Sequence, residues 1–268
     1  MASLPLPFLV IPNLRVRNGG HVEGERCVPE ESAIAITINR TTFAVMLATP
    51  ADIEDFALGF TLNENIIDKL SDIESLEIVP LPEGIEVRMN LSPTHQARLD
   101  QRERRLMGVS GCGLCGIESL AQALPTLPVL RQSKARFSTS QVMVAMAAMA
   151  PAQEINRATR AVHAAGFWRP GQGLVALRED IGRHNALDKL CGALVRQSTA
   201  AGDGIITLTS RVSLELVQKA ARMGAPVIAA ISAPSAHAVR LAQACNITLI
   251  AVAREDGFEV FSGAERLS

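Results

Sequence analysis

Residues 205–252 read IITLTSRVSLELVQKAARMGAPVIAAISAPSAHAVRLAQACNITLIAV, and their pattern decides the fold. Short, continuous apolar runs at 205–208, 227–231 and 247–252 predict strands. The longer segments at 214–223 and 236–244 have apolar residues at helical spacing and predict helices. Apolar strands that alternate with helices are typical of a mostly parallel sheet covered on both faces.

The same alternation continues on both sides of this stretch. Towards the amino terminus it predicts a strand at 174–177 and a helix at 186–196, and towards the carboxyl terminus a last strand at 258–261. We therefore predict an α/β domain over residues 131–268. A smaller α+β domain over residues 1–130 precedes it and ends in a cysteine-containing loop.

The pattern in the first domain is less regular. Residues 1–30 carry little periodicity and predict an irregular or edge segment. Ile34, Ile36 and Ile38 alternate with smaller residues and predict a strand, which a turn at Asn39-Arg40 connects to a second strand. Thr49-Pro50 predicts a helix start, because a hydroxyl N-cap followed by proline is a common helix opening. Strands are also predicted at 73–79 and 85–89, followed by an exposed helix at 91–106.

The composition excludes several classes of protein. Of the 268 residues, 48% are hydrophobic and 20% are charged, which is incompatible with a disordered chain. A net charge of −1 argues against duplex nucleic acid as a partner, and 3% aromatic residues argue against stacking of single-stranded bases. No apolar run approaches the roughly 20 residues of a membrane span. The five cysteines, one CxxC pair and three scattered residues, do not form a secreted disulfide framework and predict reduced thiols in the cytoplasm.

Polar residues follow the predicted strands where ligands bind in open α/β sheets. Gly182 permits close backbone approach, and Arg183 and His184 stand at a predicted helix start, a combination that suits a phosphate. Arg211 follows the next strand and adds a second fork-shaped donor. Asp188 and Lys189 are interpreted as a solvated helix face. His163, between apolar neighbours, is interpreted as a core histidine, and Cys191 and Cys245 as buried, inert thiols.

Cys112 and Cys115 form a CxxC in which four glycines occur within nine residues, 108–116. Such a pair can act as a nucleophile with a resolving partner, or supply half of a structural zinc site. Zinc needs two further ligands, and the sequence has no second cysteine pair. His21-Val-Glu23 together with the CxxC also resembles, superficially, the ligand and acid–base residues of zinc deaminases. The reactive pair is favoured, and no resident metal is predicted.

Several of these motifs together resemble the formate dehydrogenase accessory sulfurtransferases, the FdhD family. The resemblance covers residues 31–263 in one consistent order. It departs from the usual pattern at 160–162, before His163, and at Ser210. The resemblance depends on five motifs: ATPADIEDFALGF at 48–60, GCGLCG at 111–116, REDIGRHNALDK at 178–189, ELVQK at 215–219 and SAPS at 232–235.

The resemblance implies a homodimer whose second domain is cytidine-deaminase-like but lacks zinc chemistry. It implies that a cysteine desulfurase loads a persulfide onto the CxxC loop, with Cys112 as the persulfide cysteine. It also implies that the sulfur passes to molybdenum in the bis(molybdopterin guanine dinucleotide) cofactor before insertion into formate dehydrogenase. A guanine nucleotide would mimic this bound substrate. The matching segment for cofactor contact comprises Phe258, Glu259, Val260, Phe261, Ser262 and Gly263.

The sequence leaves three functions open. The first is a sulfurtransferase, the second a cofactor-binding chaperone whose thiols are incidental, and the third a relative of zinc-dependent deaminases. The residues agree best with the first, because a thiol loop flanked by glycines and an anion-binding edge are what a carrier needs.

Overall fold

Three β-sheets organise the part of the chain that this computed structural model describes, namely residues 3–92, 95, 99, 127–130 and 133–268. The fold is mixed α/β, as predicted. The CxxC and most of the predicted helix at 91–106 lie outside the described residues. Within those residues, no helix combines the length and apolar character that crossing a membrane would require.

The first sheet is an antiparallel hairpin of β1 (Phe8–Arg17) and β2 (Gly20–Pro29). Of the two predictions for residues 1–30, the irregular segment was therefore wrong, whereas the edge segment agrees with a sheet of only two strands. Both strands are largely exposed, so they lack the one-sided apolar alternation by which strands are recognised. The missed signal is Asn18-Gly19, whose φ angles of 50° and 79° match a tight two-residue hairpin turn.

The second sheet has the order β4-β3-β6-β5 and is covered by helix α1 (Ile53–Asn63). Its strands confirm the predictions: β3 (Ser32–Ile38), β4 (Thr41–Ala48), β5 (Ile73–Leu81) and β6 (Gly84–Leu91). The predicted helix start at Thr49-Pro50 was wrong by several residues. The Thr49 hydroxyl instead accepts a hydrogen bond from the backbone N–H of Ile181 at 3.1 Å. It therefore binds the segment after Asp180 and does not cap a helix at residue 49.

The third sheet has six strands in the order β12-β11-β10-β9-β7-β8. Only β9–β10 and β10–β11 pair in parallel, while β7–β8, β7–β9 and β11–β12 pair antiparallel. The expected mostly parallel sheet is therefore mixed: β8 to β11 run in one direction, whereas β12 and the missed strand β7 run in the other. The strands are β7 (His163–Arg169), β8 (Gly173–Asp180), β9 (Ile205–Leu208), β10 (Val227–Ala230), β11 (Thr248–Arg254) and β12 (Gly257–Ser262).

Helices cover both faces of this sheet, as predicted. One face packs against α5 (Arg183–Arg196), α6 (Leu214–Arg222) and α7 (Ala236–Ala244). The other packs against α2 (Thr139–Ala147), which Ser138 and Gln141 open with a capping box. Short helices α3 (Met149–Ala152) and α4 (Glu154–Thr159) lead into β7.

The second and third sheets are joined where α1 crosses α5 at two glycines. A Cβ on Gly59 would lie 1.7 Å from the Asp188 carbonyl oxygen, and one on Gly192 would lie 2.0 Å from that of Asp55. Only glycine permits this approach, so the two helices pack almost backbone to backbone. Leu127 and Leu130 pack against the core of the third sheet, and the domain boundary at residue 130 stays a prediction.

Candidate functional site

One edge of the six-stranded sheet gathers the polar residues that the sequence singled out. Strands β8 to β11 end at this edge, and β7 starts there because it runs antiparallel to β9. His163 opens β7, Arg183 and His184 open α5, and Arg211 follows β9. We call these four residues the basic cluster.

Arg183 is the first residue of α5 and follows Gly182, the N-cap. Among the described residues, its Nε atom is buried and has no hydrogen-bond partner. A buried donor without a partner is costly, so it marks a place where an acceptor belongs. The positive end of the α5 dipole lies at the same edge and adds to the preference for an anion.

His184 reaches towards helix α6. Its Nε2 atom lies 3.3 Å from the Ser213 hydroxyl and 3.7 Å from a carboxylate oxygen of Glu215. The contact with His184 lowers the pKa of Glu215 to about 2, so this carboxylate is ionised throughout the physiological range. The pair holds the His184 ring beside Arg183.

His163 is half-buried and belongs to the same group, although the sequence favoured a core histidine. Burial lowers its pKa below the ordinary value of 6.5, and the nearby charges of Arg183 and Arg211 lower it further. The identifying signal is its position opposite Asp180 in the β7–β8 register. Because β7 was missed, this signal was not accessible from the sequence.

Asp180 and Lys189 lie directly behind the basic cluster, and both side chains are fully buried. The expectation of a solvated helix face for Lys189 was therefore wrong. Lys189 Nζ lies 2.7 Å from Asp180 Oδ2 and donates to the Thr49 carbonyl at 2.8 Å. Asp180 also accepts hydrogen bonds from the backbone N–H groups of Thr49 and Gly182, at 3.0 and 2.8 Å. The Asp180 carboxylate thus holds both the turn at Gly182 and the connection between β4 and α1, which contains Thr49.

Asp188 was also wrongly assigned to a solvated face. It is buried, pairs with Lys219 on α6, and accepts a hydrogen bond from the Asn63 side chain at 2.7 Å. Burial raises the pKa of its carboxyl despite the lysine. The Asp188–Lys219 pair joins α5 to α6, and the Asp180–Lys189 pair joins β8 to the helix that follows it. Both pairs depend on how α5 packs against its neighbours, which local periodicity does not show.

The other residues of the 178–189 motif also have structural partners. Arg178 pairs with Asp55 on α1 at 2.7 Å. The Glu179 carboxylate accepts hydrogen bonds from the backbone N–H groups of Ile155 and Asn156, both at 2.8 Å, and burial raises its pKa. Residues of this motif therefore connect the second sheet and α1 to the third sheet. Its Arg183 and His184 lie at the edge of the third sheet that holds the basic cluster.

Segment 258–263 is only partly at this edge, because β12 runs across the sheet. Phe258 lies near its start, beside the β11–β12 turn, and Glu259, Val260 and Phe261 follow. Ser262 is buried and donates to the Ile247 carbonyl at 2.8 Å, while Gly263 lies against Thr248, where β11 begins. Within one chain, Ser262 and Gly263 are thus at the edge opposite the basic cluster.

The remaining thiol and metal predictions concern other parts of the chain. Cys112 and Cys115 lie outside the described residues. Cys191 and Cys245 are buried as predicted, and burial raises the pKa of Cys191 to about 12. Among the described residues, one group places three possible metal ligands within 4.8 Å of one another: Asp68, Asp72 and His95. His21 and Glu23 do not belong to it.

One concavity among the described residues lies away from the basic cluster. It has a volume of about 630 Å³ and is lined by the carboxyl-terminal ends of α5 and α6, including Leu194 and Met223. Cys191 also lines it, but the raised pKa of this thiol makes it a poor nucleophile. We therefore assign the candidate site to the basic cluster on its chemistry and not to this concavity.

Comparison with known proteins agrees with the motifs. Residues 29–268 match the FdhD/NarQ family. The chain is 49% identical over 257 residues to a protein of Brucella abortus named sulfur carrier protein FdhD, covering 96% of each chain. It is 45% identical to the protein of that name from Agrobacterium fabrum, over 100% of this chain and 98% of the other.

A solved structure is similar over the same extent. It is a crystal structure of a protein from Desulfotalea psychrophila, described as a candidate formate dehydrogenase accessory protein. The TM-score is 0.77 and the identity 25%, and the match covers 98% of this chain and 100% of that one. The family match, the level of identity and the shared fold lead to one conclusion: the chain belongs to the FdhD/NarQ family.

Proposed function

We propose that this protein is a sulfurtransferase that carries sulfur as a persulfide on Cys112 and delivers it to the molybdenum cofactor of formate dehydrogenase. The observation that carries the proposal is the basic cluster, with its unpartnered Arg183 Nε, in a chain whose relatives are named sulfur carrier proteins. A carrier must both hold sulfur and bind its acceptor. The CxxC serves the first need and the basic cluster the second.

Loading requires a donor persulfide, which a cysteine desulfurase would supply. The Cys112 thiolate attacks the outer sulfur of that persulfide. A new bond then joins this sulfur to Cys112, the donor S–S bond breaks, and the donor cysteine leaves as a thiolate. The reaction therefore needs no external oxidant or reductant.

The acceptor in this proposal is the molybdenum cofactor with two molybdopterin guanine dinucleotide groups, bound as a substrate. Arg183, His184 and Arg211 would hold its phosphates, with the α5 amino terminus adding a positive dipole end. Phe258 to Phe261 would contact the remainder, and a guanine nucleotide would act as a mimic. Ser262 and Gly263 lie at the opposite edge within one chain, and their contact with the cofactor stays a prediction.

Two further parts of the proposal concern assembly and location. The exposed apolar side chains of hairpin β1–β2, including Leu14, Val16 and Val22, support association with a second copy. The free thiols of Cys27, Cys191 and Cys245 support a cytoplasmic location. The cytidine-deaminase-like description of the second domain also stays a prediction.

Removing either arginine of the basic cluster should weaken binding of guanosine diphosphate. We expect Arg183→Ala and Arg211→Ala each to lower the affinity about ten- to hundredfold, since a hydrogen bond to a charged group contributes about 1.5–3 kcal/mol. Isothermal titration calorimetry measures this directly. Arg136→Ala, which removes an exposed arginine outside the cluster, is the matched control. Unchanged affinity in both cluster variants would refute the assignment.

A cofactor-binding chaperone without sulfur transfer is the second candidate, because the basic cluster alone would serve it. Intact-mass measurement after incubation with a cysteine desulfurase and cysteine separates the two functions. A carrier gains the mass of a sulfur atom, and this mass is lost on reduction. A chaperone binds guanosine diphosphate but gains no sulfur.

Elemental analysis tests the third function, a zinc-dependent deaminase relative. We expect the purified protein to contain no stoichiometric zinc, because the CxxC offers two ligands and a structural site needs four. Stoichiometric zinc that disappears in Cys112→Ser would contradict this expectation.

A further inference from the structure

We propose that His163 is the proton-accepting member of the basic cluster, so that a phosphate-type anion binds there together with one proton. This inference rests on the proposed anion site and adds a regulation to it. It makes the release of the anionic group sensitive to pH. It also gives a role to a residue that the sequence placed in the core.

The strand register places His163 on the side of the sheet where an anion would bind. Ala165 and Phe167 belong to the core beneath α5 to α7, and alternate residues of a strand share a face. His163 therefore points to that same face, at the end where α5 begins. Asp180 lies directly opposite on β8 and shares the face too.

The charges around His163 come from three elements. Arg183 and His184 face it from α5, Arg211 from the segment after β9, and Asp180 from β8. Asp180 is already committed to Lys189 and to backbone N–H groups. The guanidinium groups of Arg183 and Arg211 each contribute a positive charge. Without an anion, an imidazolium at His163 is consequently opposed by uncompensated positive charge and by burial.

A bound dianion reverses this balance. Its negative charge offsets the two guanidinium groups and favours the charged form of the His163 ring. The imidazole then takes up a proton from solvent, with no other bond made or broken. Binding and protonation are linked, so the affinity for the anion rises as the pH falls through the titration of His163.

Sulfate is the appropriate probe, because its own charge stays constant over this pH range, unlike that of phosphate. The chain has five histidines, so their ring signals can be followed individually by nuclear magnetic resonance. We expect saturating sulfate to raise the pKa of His163. A rise of one unit corresponds to about tenfold tighter sulfate binding at low pH than at high pH. Calorimetry in buffers of different ionisation enthalpy should show uptake of a proton.

His163→Gln keeps a polar side chain and should bind sulfate with no proton uptake and little pH dependence. His237→Gln, at an exposed position of α7, is the matched control and should behave as the parent protein. Proton uptake that persists in His163→Gln and is lost in His184→Gln would overturn the proposal in favour of His184. Sulfate binding without proton uptake would overturn it and leave the anion site intact. Absence of sulfate binding at every pH would overturn the anion site as well.

Discussion

Cys112→Ser is expected to abolish sulfur loading, whereas Cys115→Ser is expected to load normally but deliver poorly. A persulfide carries its outer sulfur at the sulfane level, whereas the proposed acceptor would take a sulfide ligand, so the proposed delivery would require two electrons. The Cys115 thiolate can supply them by attacking the Cys112 sulfur that bears the persulfide. A Cys112–Cys115 bond forms, the outer sulfur leaves as hydrosulfide, and a cellular dithiol reductant afterwards restores both thiols.

The measurement combines intact mass after incubation with a desulfurase and activation of a formate dehydrogenase. An external thiol should rescue delivery in Cys115→Ser, because it replaces the missing reductant. Cys27→Ser is the control and should load and deliver as the parent chain. Normal delivery by Cys115→Ser without added thiol would show that Cys115 is not the resolving residue. Loading of Cys112→Ser on Cys115 would show that the two roles are reversed.

Breaking the buried Asp180–Lys189 pair should cause the largest loss of stability among these predictions. In Lys189→Met the Asp180 carboxylate stays fully buried without its cation, and in Asp180→Asn the ammonium stays buried without its anion. Removing one partner of a buried ion pair costs about 3–5 kcal/mol. Urea denaturation of each variant measures the free energy of unfolding.

Two further variants make this stability prediction specific. Asp203→Asn breaks the Arg169–Asp203 pair, whose aspartate is 65% exposed, and should cost about 0–1 kcal/mol. The double variant Asp180→Asn/Lys189→Met should recover part of the loss, because neither charge is then left alone. Single variants no less stable than Asp203→Asn would contradict the assignment of a buried joint.

The sequence predicted a strand correctly where burial of one face, or of both faces, leaves a recognisable apolar pattern. Ile34, Ile36 and Ile38 alternate because β3 has one face in the core, and the β9 to β11 strands are continuous apolar runs because both faces are covered. Strand β7 escaped notice because Ala164, Ala165 and Gly166 are small and give no clear period. Hairpin β1–β2 was missed because both of its faces are exposed to water, so its strands have no alternation of apolar and polar residues.

The candidate site was predictable only in part. Arg183, His184 and Arg211 could be identified because each follows a predicted strand, and the topology brings the ends of those strands together. His163 required the missed strand. Asp188 and Lys189 were misread because the partner of Asp188 lies on α6 and that of Lys189 on β8, and both partners are recognisable only once α5 is packed. Burial of a charge depends on long-range packing that local periodicity does not contain.

The glycine crossing of α1 and α5 has a consequence for how members of this family can diverge. Gly59 lies on α1 and Gly192 on α5, and each leaves space for the backbone of the other helix. If either glycine were replaced by a residue with a side chain, the other helix would have to shift. The two halves are therefore poor candidates for exchange by recombination between distant homologues, and they are expected to be inherited together as one evolutionary unit.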